Sequence, residues 1–460
     1  MKSMTQLSTL AVLSLAGASM ALGQGRPIDW PSFGGDAQRS GWEKSDSRIT
    51  KANVKDFVLV LKHKLNNGGG AVTPPVVIGT LISYRGFKEL GFVAGSSGKV
   101  WSVDVDTDRM FWQKQLESSA KPCPGYVPAF PALIPPLNFA AGRPRPATRP
   151  VTLPAARPAS QRVGGTNFGN VRSVFVLASD GKLHQMNSAD GSDQFPALDF
   201  IPAGAQPSSL TIQDGVVLTS TSGGCGGAPT GVWALDLNAP EPKPVSFISK
   251  AKIDGAGGFA LGADGTVFVQ SPGVLRSLTA KTLTLKNELK EEGSGGATPV
   301  VFTWKNREMV VSPGKNFVQL IDAQTLEALY KAESEAVHAV SSWEDEEGTR
   351  WVVASTSNSV TAFKLDEHDG KPMLTKGWTS QAINAPLKTV ITSGVVFALA
   401  TGPAHATLHA LDGLTGKELY STGNQVAAKG SATGLSVING RVYFTTVDDT
   451  LWAFGVFMER

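Results

Sequence analysis

Short runs of β-branched and other apolar residues, separated by Gly, Asp, Asn and Ser, recur along the whole chain. Two clear copies are residues 92–104 (FVAGSSGKVWSVD) and 442–454 (VYFTTVDDTLWAF), in which two apolar runs flank a short polar turn. This pattern is typical of antiparallel hairpins. The 50 Gly and 28 Pro residues argue against long helices. The sequence therefore predicts an all-β protein.

The hairpins repeat at a nearly constant interval. The apolar residue that begins the second strand of each copy marks eight positions: Val100, Leu183, Val232, Leu275, Val318, Val360, Leu408 and Leu451. Six of the seven intervals between them are 42 to 49 residues long, which is the length of one four-stranded propeller blade. The sequence therefore predicts an eight-bladed β-propeller with four-stranded antiparallel blades.

The two ends of the predicted propeller complement each other. The last unit ends near Phe457, after its third strand, whereas residues 57–65 form a predicted strand without a unit of its own. Pairing of these two elements would close the ring and remove an open sheet edge. We therefore expect residues 57–460 to form the propeller, closed by an N-terminal strand, and residues 24–56 to form a lead-in.

The one long interval, between Val100 and Leu183, contains residues 135–165, which are rich in Pro, Ala and Arg and have no acidic residue. Such a composition cannot bury a core, so we interpret this stretch as a loop insertion in blade two.

The first 23 residues have the pattern of a secretory signal peptide. Lys2 precedes an apolar stretch at residues 7–22, and the small residues Ala21 and Gly23 precede a candidate cleavage site. The stretch is too short and too polar for a membrane span, and no second apolar run reaches about 18 residues. No cysteine precedes Cys123, so we expect no lipid anchor. The sequence indicates export, to the periplasm or the medium.

Charge and composition limit the classes of function that the protein can have. The 42 Lys and Arg residues against 39 Asp and Glu give a net charge of +3, too close to neutral for a dedicated nucleic-acid binder. Charged residues make up 18% of the chain and hydrophobic residues 41%, which is typical of a folded protein with a substantial core.

Cys123 and Cys225 are the two cysteines of the chain. In the predicted strand order, Cys123 lies between blades one and two, and Cys225 lies in a glycine-rich loop of blade three, on the same face. For an exported protein we expect a structural disulfide, with two free thiols as the alternative.

Residues 29–42 (DWPSFGGDAQRSGW) and repeats such as 410–420 (ALDGLTGKELY) resemble the PQQ-binding-like β-propeller repeat proteins of the quinoprotein alcohol dehydrogenase superfamily. The resemblance covers nearly the whole chain after residue 28. It implies an eight-bladed propeller in which the aromatic residue that closes each repeat, such as Trp112 or Tyr420, packs between blades.

The resemblance carries little catalytic information. Dehydrogenases of this superfamily use PQQ and Ca²⁺, with a disulfide of adjacent cysteines against the cofactor, whereas Cys123 and Cys225 are 102 positions apart. No Cys-x-x-Cys-His haem motif occurs, and no Glu/Asn/Asp ligand set matches a family motif. We predict no cofactor, and PQQ and calcium belong only to an alternative interpretation.

The favoured hypothesis is an exported, non-catalytic propeller that serves as a scaffold for a protein partner or a small-molecule ligand. The alternative is a divergent PQQ- and calcium-dependent alcohol or sugar dehydrogenase. The candidate binding-face residues lie in loops between strands: Asn66, Asn67, Gly223, Gly224, Gly226, Gly295, Asn316 and His405.

Overall fold

Eight sheets follow one another along the chain, each built on a four-stranded antiparallel core, and β1 (Trp42–Glu43) adds a parallel strand to one of them. The computed structural model describes residues 29–457, apart from 84–85, 135–171, 254, 294, 296, 403 and 431–433. The predicted signal peptide (1–23) and the predicted insertion (135–165) therefore lie outside the described residues. Two strands, β1 (Trp42–Glu43) and β2 (Val58–Lys64), precede the first blade, with the 3-10 turn Val54–Asp56 between them.

The first four blades follow in sequence order, and in blade three the first strand is divided into two short pieces. Blade one has β3 (Val76–Ser83), β4 (Gly86–Ala94), β5 (Lys99–Asp104) and β6 (Arg109–Gln115). Blade two has β7 (Ala132–Leu133), β8 (Ser173–Leu177), β9 (Lys182–Asn187) and β10 (Leu198–Asp199). Blade three has β11 (Ala205–Pro207), β12 (Thr211–Gln213), β13 (Val216–Gly224), β14 (Thr230–Asp236) and β15 (Pro244–Ile248). Blade four has β16 (Phe259–Leu261), β17 (Val267–Ser271), β18 (Val274–Leu278) and β19 (Leu285–Lys290).

The remaining four blades repeat this order, except that the last one borrows its outer strand. Blade five has β20 (Val300–Trp304), β21 (Arg307–Pro313), β22 (Phe317–Asp322) and β23 (Ala328–Glu333). Blade six has β24 (Val337–Glu344), β25 (Arg350–Thr356), β26 (Val360–His368) and β27 (Lys371–Thr379). Blade seven has β28 (Val390–Thr392), β29 (Val395–Thr401), β30 (Ala406–Asp412) and β31 (Glu418–Ser421). Blade eight has β32 (Ser436–Ile438), β33 (Arg441–Thr445) and β34 (Thr450–Gly455), and its fourth strand is β2.

The pairing of β2 with β34 joins the two ends of the chain. The strands are antiparallel, with Val58 opposite Gly455 and Lys64 opposite Thr450. The predicted eight-bladed, all-β ring closed by an N-terminal strand is therefore confirmed. The first strands of neighbouring blades contact one another, as β20 does with β16 and β24, and so they surround the central axis.

Tryptophans and glycines lock adjacent blades together. Trp112, on the outer strand of blade one, donates its indole N–H to the Ser188 carbonyl of blade two at 2.9 Å. Trp378 of blade six donates in the same way to the Gly413 carbonyl of blade seven, at 2.8 Å. The turn glycine Gly416 lies against the Trp378 ring, where a Cβ would come within 2.5 Å of a ring carbon. The inter-blade role that the family resemblance implied for Trp112 is thus present.

Candidate functional site

The ring has two faces. The upper face carries the connections between blades and the loops between the second and third strands of each blade, and the lower face carries the other turns. All eight candidate loop residues lie on the upper face: Asn66, Asn67, Gly223, Gly224, Gly226, Gly295, Asn316 and His405. They belong to blades three, five and seven and to the connections that lead into blades one and five, so they are spread around the face.

Residues 29–43, called here the channel segment, run along the innermost strands of the ring. Their backbone bonds to one blade after another: Trp30 with Val77 of blade one, Pro31 with Leu133 of blade two, Ala37 with Leu261 of blade four, Gln38 with Val301 of blade five, Ser40 with Ser342 of blade six, and Gly41 with Ile391 of blade seven. The segment therefore lies on the axis side of the ring and ties six blades together. Sequence analysis gave this stretch only the role of a lead-in.

Arg39 of the channel segment reaches blade three, one of the two blades that the backbone contacts leave out. Its side chain is fully buried, and Nη2 donates to Ser209 Oγ and Thr211 Oγ1 of blade three, both at 2.6 Å. Nε donates to the Phe259 carbonyl of blade four at 3.0 Å, and Nη1 donates to the Phe33 carbonyl at 2.8 Å. Burial lowers the pKa of this guanidinium, because the cation is removed from water. The Nε, Nη1 and Nη2 atoms of Arg39 thus all donate hydrogen bonds to groups of the protein itself.

A second buried cation, Lys388, lies beside the channel segment. Its ammonium group donates to the Val340 carbonyl. Burial lowers the pKa of Lys388 to about 7; the Asp36 carboxylate opposes this shift and the Arg39 charge adds to it. Asp36 in turn accepts hydrogen bonds from the backbone N–H and the hydroxyl of Ser40, at 2.8 and 2.5 Å. The channel segment and its surroundings thus hold the cations Arg39 and Lys388 and the carboxylates of Asp29, Asp36 and Glu43.

This arrangement does not fit the calcium site that the family resemblance implies. Ca²⁺ takes six to eight oxygen ligands, several of them carboxylates. The carboxylates of the channel segment instead have partners within the protein: Asp29 pairs with Arg172, Asp36 accepts from Ser40, and Glu43 accepts from Ser45. Among the described residues, no three His, Cys, Asp or Glu side chains are placed to hold a metal ion. We therefore derive no reaction step through PQQ or calcium.

The two cysteines form a disulfide on the upper face, as expected from the sequence. Cys123 lies in the connection between blades one and two, and Cys225 lies in the loop between β13 and β14 of blade three. Their Cα atoms are 5.9 Å apart, and the Cys225 N–H also donates to the Gly204 carbonyl at 3.1 Å. The bridge thereby fixes the connection between blades one and two over blade three.

A cavity of about 240 Å³ opens on the upper face beside this disulfide. Its walls come from blade three and from two inter-blade connections, one between blades one and two and one between blades three and four: Val127, Pro128, Phe130, Gln206, Pro207, Ser208, Ser220, Ser222, Ile253, Gly255 and Ala256. Phe130 and Ile253 are buried at its base, whereas Val127 and Ala256 are exposed at its rim. None of these described lining residues is ionisable.

Gln206 holds one wall of the cavity in place. Its side-chain amide donates to the Val127 carbonyl at 2.9 Å and accepts from the Val127 N–H at 3.3 Å, as a strand neighbour would. Behind that wall, the Phe130 ring packs edge-on against Phe33 of the channel segment, with ring centres 5.2 Å apart. The cavity wall is therefore braced from both sides.

A pair of hydroxyls faces this cavity. Ser208 Oγ accepts from the backbone N–H of Ser220 at 3.2 Å and from its hydroxyl at 2.9 Å. Gly258 passes directly over the pair, where a Cβ would lie 2.0 Å from Ser220 Oγ and 2.5 Å from Ser208 Oγ. Ser208 donates its own proton to no acceptor among the described residues. The cavity is therefore lined by both apolar side chains and hydroxyls.

Sequence analysis named only neighbours of this cavity. Gly223 and Gly224 follow directly after the lining residue Ser222. Asn67 is instead structural: it is buried, accepts from Ser97 Oγ at 2.5 Å and donates to the Ala71 carbonyl at 3.1 Å. The missed lining residues come from two inter-blade connections and from blade three, and the nearest signal in the sequence was the Cys123–Cys225 pair.

Comparison with solved structures supports the fold. The chain is 14% identical to a quinohemoprotein alcohol dehydrogenase from Comamonas testosteroni, with a TM-score of 0.56 over 94% of this chain and 82% of that one. It is 11% identical to a europium-containing methanol dehydrogenase, with a TM-score of 0.60 over 94% and 99% of the two chains. The fold is that of the quinoprotein dehydrogenase propellers.

The same fold also relates the chain to BamB from Moraxella catarrhalis, at 14% identity and a TM-score of 0.53 over 87% of this chain and 100% of that one. No protein-family model matches the sequence, and no curated protein matches it. Among the residues that the structure describes, no helix has the length and apolar character needed to cross a bilayer.

Proposed function

We propose that this protein is an exported, non-catalytic binding protein that holds a partner protein on the upper face of its propeller. The observation that carries the proposal is the cavity beside the Cys123–Cys225 disulfide, whose walls are fixed by covalent, hydrogen-bonded and aromatic contacts. A rigid concave site formed by loops on a fixed scaffold is a common location for recognition.

The buried contacts on the axis side support a rigid scaffold. The buried donors of Arg39 are used by carbonyls and hydroxyls of the ring, so they stabilise the scaffold. The disulfide supports export, because such bonds persist in oxidising compartments.

Site-specific photo-crosslinking in cells tests the proposal. A photo-reactive residue at Ala256, on the cavity rim, should give a discrete adduct with a partner protein. The matched control is Glu346, which is exposed in the turn between β24 and β25 on the lower face. Equal adducts from both positions, or none from Ala256, would contradict a binding role of the upper face.

A separate measurement tests the alternative that the protein is a dehydrogenase. Purified protein is titrated with PQQ and Ca²⁺ while tryptophan fluorescence and alcohol- or sugar-dependent dye reduction are followed. Saturable quenching with turnover would overturn the non-catalytic proposal. Unchanged fluorescence and no dye reduction are the results expected for a binding protein.

A further inference from the structure

Blade eight packs against blade one at what is called here the closing joint, formed by β33 on one side and by β4 and the turn after β5 on the other. Glu89 of β4 lies inside this joint, where it faces Arg441 and Tyr443 of β33, and all three side chains are buried. Glu89 Oε1 accepts from the Tyr443 hydroxyl at 3.3 Å, and Glu89 Oε2 lies 3.8 Å from Arg441 Nη1. The joint therefore encloses a carboxyl group.

The charge of Glu89 is poorly compensated, as a comparison with Glu43 shows. Glu43 is buried to a similar degree, yet it accepts from the backbone N–H groups of Ser45 and Asp46 and from the Ser45 hydroxyl. Glu89 accepts from no backbone N–H among the described residues, and its hydroxyl donor, Tyr443, is 3.3 Å away. Hydrogen bonds to a carboxylate stabilise its charged form, whereas burial favours the protonated form. The surroundings of Glu89 therefore favour a neutral carboxyl group.

The nearest cation, Arg441, is shared with other acceptors. Its Nη1 donates to the Val105 carbonyl at 2.9 Å, and its Nη2 donates to the Asp106 carboxylate at 3.0 Å. Both acceptors belong to blade one, in the turn after β5. Because the 3.8 Å contact with Glu89 is longer than a hydrogen bond, the Arg441 charge is balanced mainly by Asp106.

Charged and polar groups face Glu89 from every element packed around it. They are Arg441 and Tyr443 of β33, Asp106 of the turn after β5, Arg48 of the lead-in and Asn439 of the turn before β33. Lys88, the preceding residue, pairs instead with Asp104 at 2.8 Å. Burial raises the pKa of Glu89 to about 7 from an ordinary 4.5, although the Arg441 charge opposes this shift.

We propose that Glu89 makes the closing joint sensitive to protons: the joint is closed most firmly while Glu89 is protonated, and it opens more often as Glu89 ionises. In the closed ring the buried carboxyl group keeps its proton. Opening admits water, so the carboxyl group ionises as an exposed glutamate does and releases one proton to the solvent. The inference concerns closure of the ring and is independent of what the upper face binds.

Amide hydrogen exchange of the full-length protein between pH 5 and 8.5 tests the inference. Exchange is followed by mass spectrometry in β3, β4, β33 and β34 and corrected for the pH dependence of the free amides. Between about pH 5 and 7, each opening releases one proton, so the opening constant should rise by up to about tenfold per pH unit. Above pH 7 it should level off. Strands β17 and β18 of blade four are the internal reference and should show no such rise.

Three variants assign the effect. Glu89→Gln resembles the protonated side chain and should remove the rise, whereas Glu327→Gln, at an exposed glutamate of blade five, should retain it. His63 of β2 pairs with Asp108 of blade one at 3.0 Å, across the outer part of the contact between blades eight and one. Because histidine also titrates in this range, His63→Gln is the decisive control, and it should retain the rise.

Three results would overturn the inference: an opening constant of the parent protein that is unchanged between pH 5 and 7, a rise that persists in Glu89→Gln, or a rise that is lost in His63→Gln. If Glu89→Gln fails to fold, a carbon-13 NMR titration of the glutamate carboxyl groups of the parent protein replaces it. One carboxyl carbon should then titrate near pH 7, and the absence of any that titrates above pH 6 would overturn the inference. Crosslinking from Ala256 tests the proposed binding function separately.

Discussion

Arg39→Ala tests whether the channel segment holds the ring together. The variant leaves the Phe33 and Phe259 carbonyls and the hydroxyls of Ser209 and Thr211 without their buried donor. Each unsatisfied buried group costs about 1–3 kcal/mol, and this cost is offset in part because the guanidinium no longer has to be desolvated. We expect a net loss of about 3–5 kcal/mol in the free energy of unfolding.

The left-handed backbone at Arg39, with φ of 62°, does not confound this measurement, because Ala and Arg are both L residues with a Cβ. Urea unfolding followed by tryptophan fluorescence should show a midpoint about 1 M lower than that of the parent protein. Arg109→Ala, at an exposed arginine of β6, is the control and should stay within about 0.5 kcal/mol. A loss below about 1 kcal/mol for Arg39→Ala would refute the role of the channel segment.

Three further predictions follow from contacts elsewhere in the ring. Because the pKa of buried Lys388 falls to about 7 from an ordinary 10.5, the unfolded chain binds more protons between these pH values. The free energy of unfolding should therefore rise with pH above 7, by up to about 1.4 kcal/mol per unit, and Lys388→Met should remove this contribution; an unchanged pH profile would contradict it. Replacing Cys123 and Cys225 by Ser should cost about 2–5 kcal/mol in urea unfolding, and equal stability would show that the bridge does not restrain the chain. Gly416→Ala should cost about 2–4 kcal/mol, because its Cβ meets a tryptophan ring at positive φ, whereas Gly423→Ala, at positive φ in open space, should cost about 1 kcal/mol; thermal unfolding compares the two, and equal losses would contradict the packing argument.

The fold could be predicted because each blade carries its own local signal. The anchors Val100 and Leu451 belong to hairpins whose strands pair with near neighbours, so the repeat is visible in the linear sequence. The closing strand could be found for a related reason: β2 is a strand that lacks a local partner, and the last unit lacks a fourth strand.

The cavity and the channel segment could not be predicted in this way. Phe130 and Ile253 come from connections between blades, Ser208 comes from the interrupted first strand of blade three, and they meet only through the packing of neighbouring blades. Arg39 lies in an irregular stretch, and its partner Phe259 is 220 positions away. No periodicity marks such contacts, since they depend on the curvature of the completed ring.

The channel segment also limits how far the chain can fold while it is being synthesised. Residues 29–43 leave the ribosome among the first of those described, yet their partners include Val301, Ser342 and Ile391, and β2 must wait for β34. Contacts between such distant parts of a chain form slowly, because long loops must close first. A nascent chain therefore cannot complete this ring, however well its early blades form. The native state is therefore reached only after synthesis, when the last strand is free to pair with β2.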